Sequence, residues 1–281
     1  MIRMPLRHAA LLPMLAALGA CAGGDKPAEA AVTAAPAAPP VVEVTANDYA
    51  FQMPDTLAAG VTTFRLTNHG QELHHVILIK LGEGQTLADL PKLLGGPPPA
   101  DLVVLGGPNP AAPHGQAEAM VDLQTGNYAV ICVIPAADGQ AHVQKGMAHA
   151  LTVVPGTSTA AMPDADIVVT LKDYDFEFST PLTAGRHVLR IENAAEQVHE
   201  LVFFKLAPGK TAAEMARFAE KPEGPPPGTP VNGASPLSKG MSNTVTVDLE
   251  AGDYALICFA PDVKDGKPHL MHGMIKQLTI S

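Results

Sequence analysis

The chain is poor in positive charge, in long apolar runs and in cysteine, and each shortage closes a class of reading. Its 18 Lys and Arg stand against 28 Asp and Glu, a formal charge of −10. A nucleic-acid surface must neutralise phosphates, so no such partner is expected. The apolar run at residues 9–20 is too short to span a bilayer comfortably. No Ser-His-Asp constellation and no phosphate-cradling Gly loop is present. Tryptophan is absent and aromatic residues make up only 4%, whereas 25 Gly and 27 Pro supply turns in abundance. Many turns and few long periodic segments favour an all-β chain over a helical one.

What is present begins with an export signal. Arg3 and Arg7 form a positive start, the apolar run follows, and Leu18-Gly19-Ala20-Cys21 resembles the lipobox of bacterial lipoproteins. That resemblance implies that residues 1–20 are removed, that Cys21 carries a lipid, and that the protein is held to a membrane in the periplasm or cell envelope. An ordinary signal peptide cleaved near Ala20 is the alternative. Residues 21–40, small, polar or Pro-rich, cannot bury a core and are expected to form a flexible tether.

The rest of the chain is written twice. Asp173-Tyr174 repeats Asp48-Tyr49, and Gly185, Asn193, His199 and Leu206 repeat Gly60, Asn68, His74 and Leu81, all at an offset of 125 residues. Gly252-Asp-Tyr-Ala-Leu-Ile-Cys258 repeats Gly126-Asn-Tyr-Ala-Val-Ile-Cys132 at 126, and His269 and Met274 repeat His142 and Met147 at 127. A drift of two residues over such a span means duplication. The expected domains are therefore 41–154 and 165–281, joined by a linker at 155–164. Seven or so short alternating strands per half give two tandem Greek-key β-sandwiches. Each half also carries an insert, with a short helix expected at residues 211–220 and a weaker one at 86–90. Each helix precedes Gly-Pro-Pro-Pro (96–99 and 224–227), a surface excursion because three prolines cannot sit inside a sheet.

The chemistry gathers in one loop of each half. Cys132 is followed by x-x-Pro, an Asp-Gly turn, His142 and Gly-Met147; Cys258 is followed in the same way by Pro, Asp-Gly, His269 and Gly-Met274. Thiolate, imidazole and a weakly held thioether are donors that suit copper in both of its oxidation states. Cysteines at matching places in two domains would rarely come within disulfide reach, so Cys132 and Cys258 are expected to be free thiols. Met271 and His272 add soft donors to the second loop, for copper capture or by accident. His69, His114, His149 and His187 lack counterparts and read as surface or packing residues.

With His74 and His199 at strand starts, each six residues after an Asn (Asn68, Asn193), the order His, then Cys-His-Met in one loop, resembles the cupredoxin family of blue copper proteins. The resemblance covers nearly the whole exported chain, once per half. It implies one copper per half, held by His74, Cys132, His142 and an axial Met147, and by His199, Cys258, His269 and an axial Met274. Two features depart from the family pattern. The Cys-to-His loops hold nine and ten intervening residues where familiar members have two to four, and the residue after the first His is His75 or Glu200 rather than a small polar one. Copper enzymes of two such domains place a His directly before the Cys to reach a second copper. Ile131 and Ile257 stand there, so the chain is expected not to be an enzyme. The expected role is one-electron transfer or copper holding, storage and delivery included, with a redox or copper-trafficking protein as partner. The alternative is a metal-free interaction module of the cell envelope.

Overall fold

Alternation shows from the first strand, β1 (Val41–Asn47), which turns Val42, Val44 and Ala46 inward and leaves Val41 and Glu43 in solvent. The structure is a computed structural model that describes residues 37–281, apart from 97, 98, 100 and 101. The expected signal peptide, Cys21 and most of the tether lie outside the described residues, as does part of the first Gly-Pro-Pro-Pro turn. The first half continues with β2 (Ala50–Gln52), β3 (Thr56–Ala58), β4 (Gly60–Asn68), β5 (Ile77–Lys80), α1 (Leu90–Leu94), β6 (Val103–Val104), β7 (Gln116–Leu123), β8 (Gly126–Ile131) and β9 (Ala148–Val154). Asp48 and Tyr49 form the turn between β1 and β2. One sheet runs β2-β1-β4-β7, and the facing sheet runs β3-β9-β8-β5-β6. Between them lie Val44, Phe64, Leu66, Leu78, Val130 and Leu151.

The second half repeats this plan with β10 (Ile167–Lys172), β11 (Asp175–Phe178), β12 (Gly185–Asn193), β13 (His199–Leu206), α2 (Ala212–Glu220), β14 (Gly228–Leu237), β15 (Ser242–Leu249), β16 (Gly252–Ile257) and β17 (Ile275–Ile280). Its sheets run β11-β10-β12-β15 and β14-β13-β16-β17. The class is all-β, two tandem Greek-key sandwiches of the cupredoxin-like kind. β13 is apolar almost without alternation because both of its faces are covered: Leu201 and Phe203 meet the sandwich core, and Val202, Phe204 and Leu206 meet Ala212 and Met215 of α2. That helix starts with reciprocal capping, Glu214 N–H donating to the Thr211 hydroxyl at 3.2 Å while Thr211 N–H donates to the Glu214 carboxylate at 2.9 Å. A tyrosine pins each hairpin before the metal loop, Tyr128 donating to Gln124 O at 2.6 Å and Tyr254 to Glu250 O at 2.9 Å.

The strand β14 was not legible in the sequence, since Pro230 and Pro236 argue against a strand there. It survives because it is a sheet edge, where a missing N–H breaks no ladder. Its outer side meets the first half. Bridges join Leu105 to Leu237 and Pro108 to Ala234, and Ser235 Oγ donates to Pro108 O at 2.9 Å. Asn243 donates to Leu105 O and accepts from Gly107 N–H, both at 2.8 Å. Only glycine fits at 107, where φ is +137° and a Cβ would stand 2.6 Å from Val76 O. β15 also pairs with β7 through Thr244 and Met120, so the two main sheets run on as one sheet of eight strands.

Candidate metal centres

Each half brings two imidazoles and a thiol together at one end of its sandwich. In the first, His74 enters just before β5, held by a backbone bridge to Ala111, and Cys132 directly follows β8. His142 opens a short 3-10 turn, His142–Lys145, which Gly146 closes at φ +101°, sending the chain into Met147. The second half places His199 at the start of β13, Cys258 after β16 and His269 in the turn His269–His272, closed by Gly273 at φ +94°. All six donor residues and both methionines are fully buried.

The long loops between Cys and His are tied at their base. Val143 N–H donates to Cys132 O at 2.7 Å and His142 N–H to Ile134 O at 2.9 Å; Leu270 to Cys258 O and His269 to Ala260 O, both at 2.9 Å, repeat the pattern. Met147 N–H donates to His142 O, and Met274 N–H to His269 O, both at 3.0 Å. Each methionine also shares a core cluster with the cysteine of its half.

Donor atoms converge in both places. His74 Nδ1 and His142 Nδ1 stand 3.1 Å apart, with Cys132 Sγ 3.4 Å from His142 Nδ1. Cys258 Sγ lies 3.4 Å from His269 Nδ1 and 3.8 Å from His199 Nδ1. Each set of three falls within 4.8 Å. With metal–nitrogen bonds of about 2.0 Å and a metal–sulfur bond of about 2.3 Å, values typical of zinc, trigonal donors stand about 3.5–3.7 Å apart. The observed spacings have that size.

The outer ring nitrogens are held as firmly. His74 Nε2 bonds Asp48 at 2.5 Å, His142 Nε2 bonds Glu72 at 2.7 Å and His199 Nε2 bonds Asp173 at 2.9 Å. His269 Nε2 lies 3.3 Å from Gln197 Oε1 and 3.7 Å from Asp262. Each outer partner leaves Nδ1 free to face the sulfur and fixes the ring's plane. His75 and Glu200, the odd residues after the first ligand position, are buried braces: Val133 N–H donates to His75 Nε2 at 3.1 Å, and Phe259 N–H to Glu200 at 3.0 Å. They hold the backbone just beyond each cysteine.

Burial decides protonation. It lowers His74 and His199, and His269 to about 4, so these rings are neutral lone-pair donors near pH 7. It pushes the Cys132 thiol up to about 12 and raises Cys258 as well. Such thiols do not ionise unaided, and a divalent cation in their place supplies the missing charge. Two imidazoles, a thiol that needs a cation and a nearby thioether together fit a type 1 copper ion in each half.

Among the described cysteines, Cys132 and Cys258 are free, as expected. His69, His114, His149 and His187 belong to neither group. Met271 is exposed, and His272 bonds Asp265 at 3.2 Å, where the first half has the ion pair Lys145–Asp138 at 2.5 Å. The partners sequence reasoning missed are Asp48, Glu72, Asp173, Gln197 and Asp262. The repeat offset of 125 links Asp48 to Asp173 and Glu72 to Gln197, a signal that was open to reading.

No family model and no curated protein sequence matches the chain. Solved structures do. Auracyanin A, titled a "blue" copper protein, from Chloroflexus aurantiacus is 25% identical over 41% of this chain and 99% of its own, with a TM-score of 0.31. A blue copper oxidase from Nitrosomonas europaea is 13% identical over 85% of each chain, TM-score 0.26. A copper-containing nitrite reductase from Thermus scotoductus is 14% identical over 86% of this chain and 61% of its own, TM-score 0.24. At such scores the architecture rests on strand order and donor geometry rather than on these likenesses. They do correct one expectation: structures matched along most of the chain are enzymes, so the exclusion of catalysis drawn from Ile131 and Ile257 is withdrawn.

Proposed function

We propose that the chain is an exported, lipid-anchored copper protein of the cell envelope with two type 1 sites. His74, Cys132 and His142, with Met147 nearby, would hold one ion, and His199, Cys258 and His269, with Met274 nearby, the other. The convergence of two Nδ1 atoms and one Sγ in a fully buried pocket, twice in one chain, carries this reading. Copper, when bound, supplies a one-electron couple. The protein's part is to keep the donors still. Asp48, Glu72, Asp173 and Gln197 clamp the outer nitrogens, and His75 and Glu200 brace the chain beyond the thiol, so the rings have little freedom to follow a change of charge. Rigid donors of this kind favour one-electron exchange with a redox partner protein. Lipid attachment rests on Cys21 and its lipobox-like approach; no helix among the described residues is long and apolar enough to cross a membrane.

The test is the visible spectrum and metal content of the protein freed of residues 1–21, after Cu(II) and an oxidant are added. An intense red-region band with two coppers per chain is expected, and each of Cys132→Ser and Cys258→Ser should remove one. A folded chain that retains no copper and stays colourless would overturn the reading in favour of a metal-free module.

A further inference from the structure

The two halves differ at two positions beside the candidate ligands: His75/Glu200, which braces the chain after each cysteine, and Glu72/Gln197, which reaches a ring nitrogen of the loop histidine. Glu72 and Gln197 occupy the same place in the repeat, and in both halves a buried asparagine fixes that residue's backbone: Asn68 Nδ2 donates to Glu72 O and Asn193 Nδ2 to Gln197 O, each at 2.7 Å. The side chains then reach the outer nitrogen of the loop histidine. Glu72 meets His142 Nε2 at 2.7 Å, whereas Gln197 meets His269 Nε2 at 3.3 Å. The first is a carboxylate, the second a neutral amide.

The second half has not lost its negative charge; it has moved it back. Asp262, fixed by the Tyr174 hydroxyl and by Lys264 N–H at 2.8 Å, stands 3.7 Å from His269 Nε2, beyond hydrogen-bond reach. In the first half the matching residue is Ala136, which follows Pro135 as Asp262 follows Pro261, and Tyr49 lies beside Glu72 instead. The histidines at the other corner are alike, each bonded to an aspartate, Asp48 or Asp173. Behind the histidines, the contrast between the sites therefore lies at one corner, that of His142 and His269.

A carboxylate bonded to the far side of a ligand imidazole makes the ring a stronger donor, and it stabilises the more positive oxidation state of a bound ion over the less positive one. We propose that the Glu72/Gln197 position sets the two sites apart, giving the first the lower reduction potential and the firmer hold on the oxidised ion. One chain would then present two unequal centres. This rests on the copper reading above.

The experiment isolates each site and exchanges the two residues. Cys258→Ser leaves the first site, and Glu72→Gln is added to it; Cys132→Ser leaves the second, and Gln197→Glu is added to that. Outer-partner changes shift relative affinity about 10- to 100-fold, which for one electron corresponds to roughly 60–120 mV. Glu72→Gln should raise the midpoint of the first site by that amount, and Gln197→Glu should lower that of the second. Glu72→Asp, which keeps the charge, should stay near the parent, and Zn(II) affinity at the first site should fall with Glu72→Gln by a similar factor. The two exchanges are independent, so loss of folding in one leaves the other decisive. Midpoints that stay put with copper retained would overturn this proposal alone; parent proteins that bind no copper would overturn the copper reading and this with it.

Discussion

Asn243 and Gly107 are 136 residues apart in the chain, yet the Gly107 N–H donates to the Asn243 side chain at 2.8 Å in a site with no access to solvent. The same asparagine returns a bond to Leu105 O. This one side chain joins the loop that carries Ala111, the backbone partner of His74, to the strand that leaves β14. The seam between the halves is therefore built of directed bonds as well as apolar contact.

Asn243→Ala removes those bonds and leaves buried backbone groups unpaired. The expected cost is about 2–4 kcal/mol, read as a lower denaturant midpoint. The copper spectrum of the folded fraction should keep its shape, because no donor is touched.

Asp48→Asn and Asp173→Asn replace the carboxylates on His74 and His199. Each should weaken copper affinity at its own site about 10- to 100-fold and leave the other unchanged. Competitive titration with a chelator in the single-cysteine backgrounds checks this, and equal weakening of both sites would sink it.

Metal removal should destabilise the protein in two separable increments. Free ion at 100 times the dissociation constant adds about 2.7 kcal/mol per site to the folded state. Calorimetry with and without chelator should show the full loss in the parent chain and about half of it in Cys132→Ser or Cys258→Ser.

Tyr128→Phe and Tyr254→Phe each delete one hydroxyl bond at a hairpin corner. A loss of about 1 kcal/mol each is expected, with unchanged midpoint potentials, since neither hydroxyl reaches a donor. A potential shift in either variant would show that the corner helps aim the cysteine that follows it.

Much of the molecule was open to reading from its residues. The repeat offset, the alternating strands and the Cys-His-Met order in both loops depend on short-range rules, because side-chain period and turn chemistry are local. They marked Cys132, His142, Cys258 and His269 as candidates, and the family resemblance, with its Asn-to-His spacing, added His74 and His199. Only the tertiary structure decided what surrounds them. Asp48 reaches His74 across 26 residues and Glu72 reaches His142 across 70, and such meetings depend on how separate strands and loops register across the sandwich. The same holds for β14, whose prolines forbid a strand by local rule yet are accepted at an edge, and for the seam at Asn243. Local pattern determined which donors exist; non-local packing determined which carboxylate or amide stands behind each one.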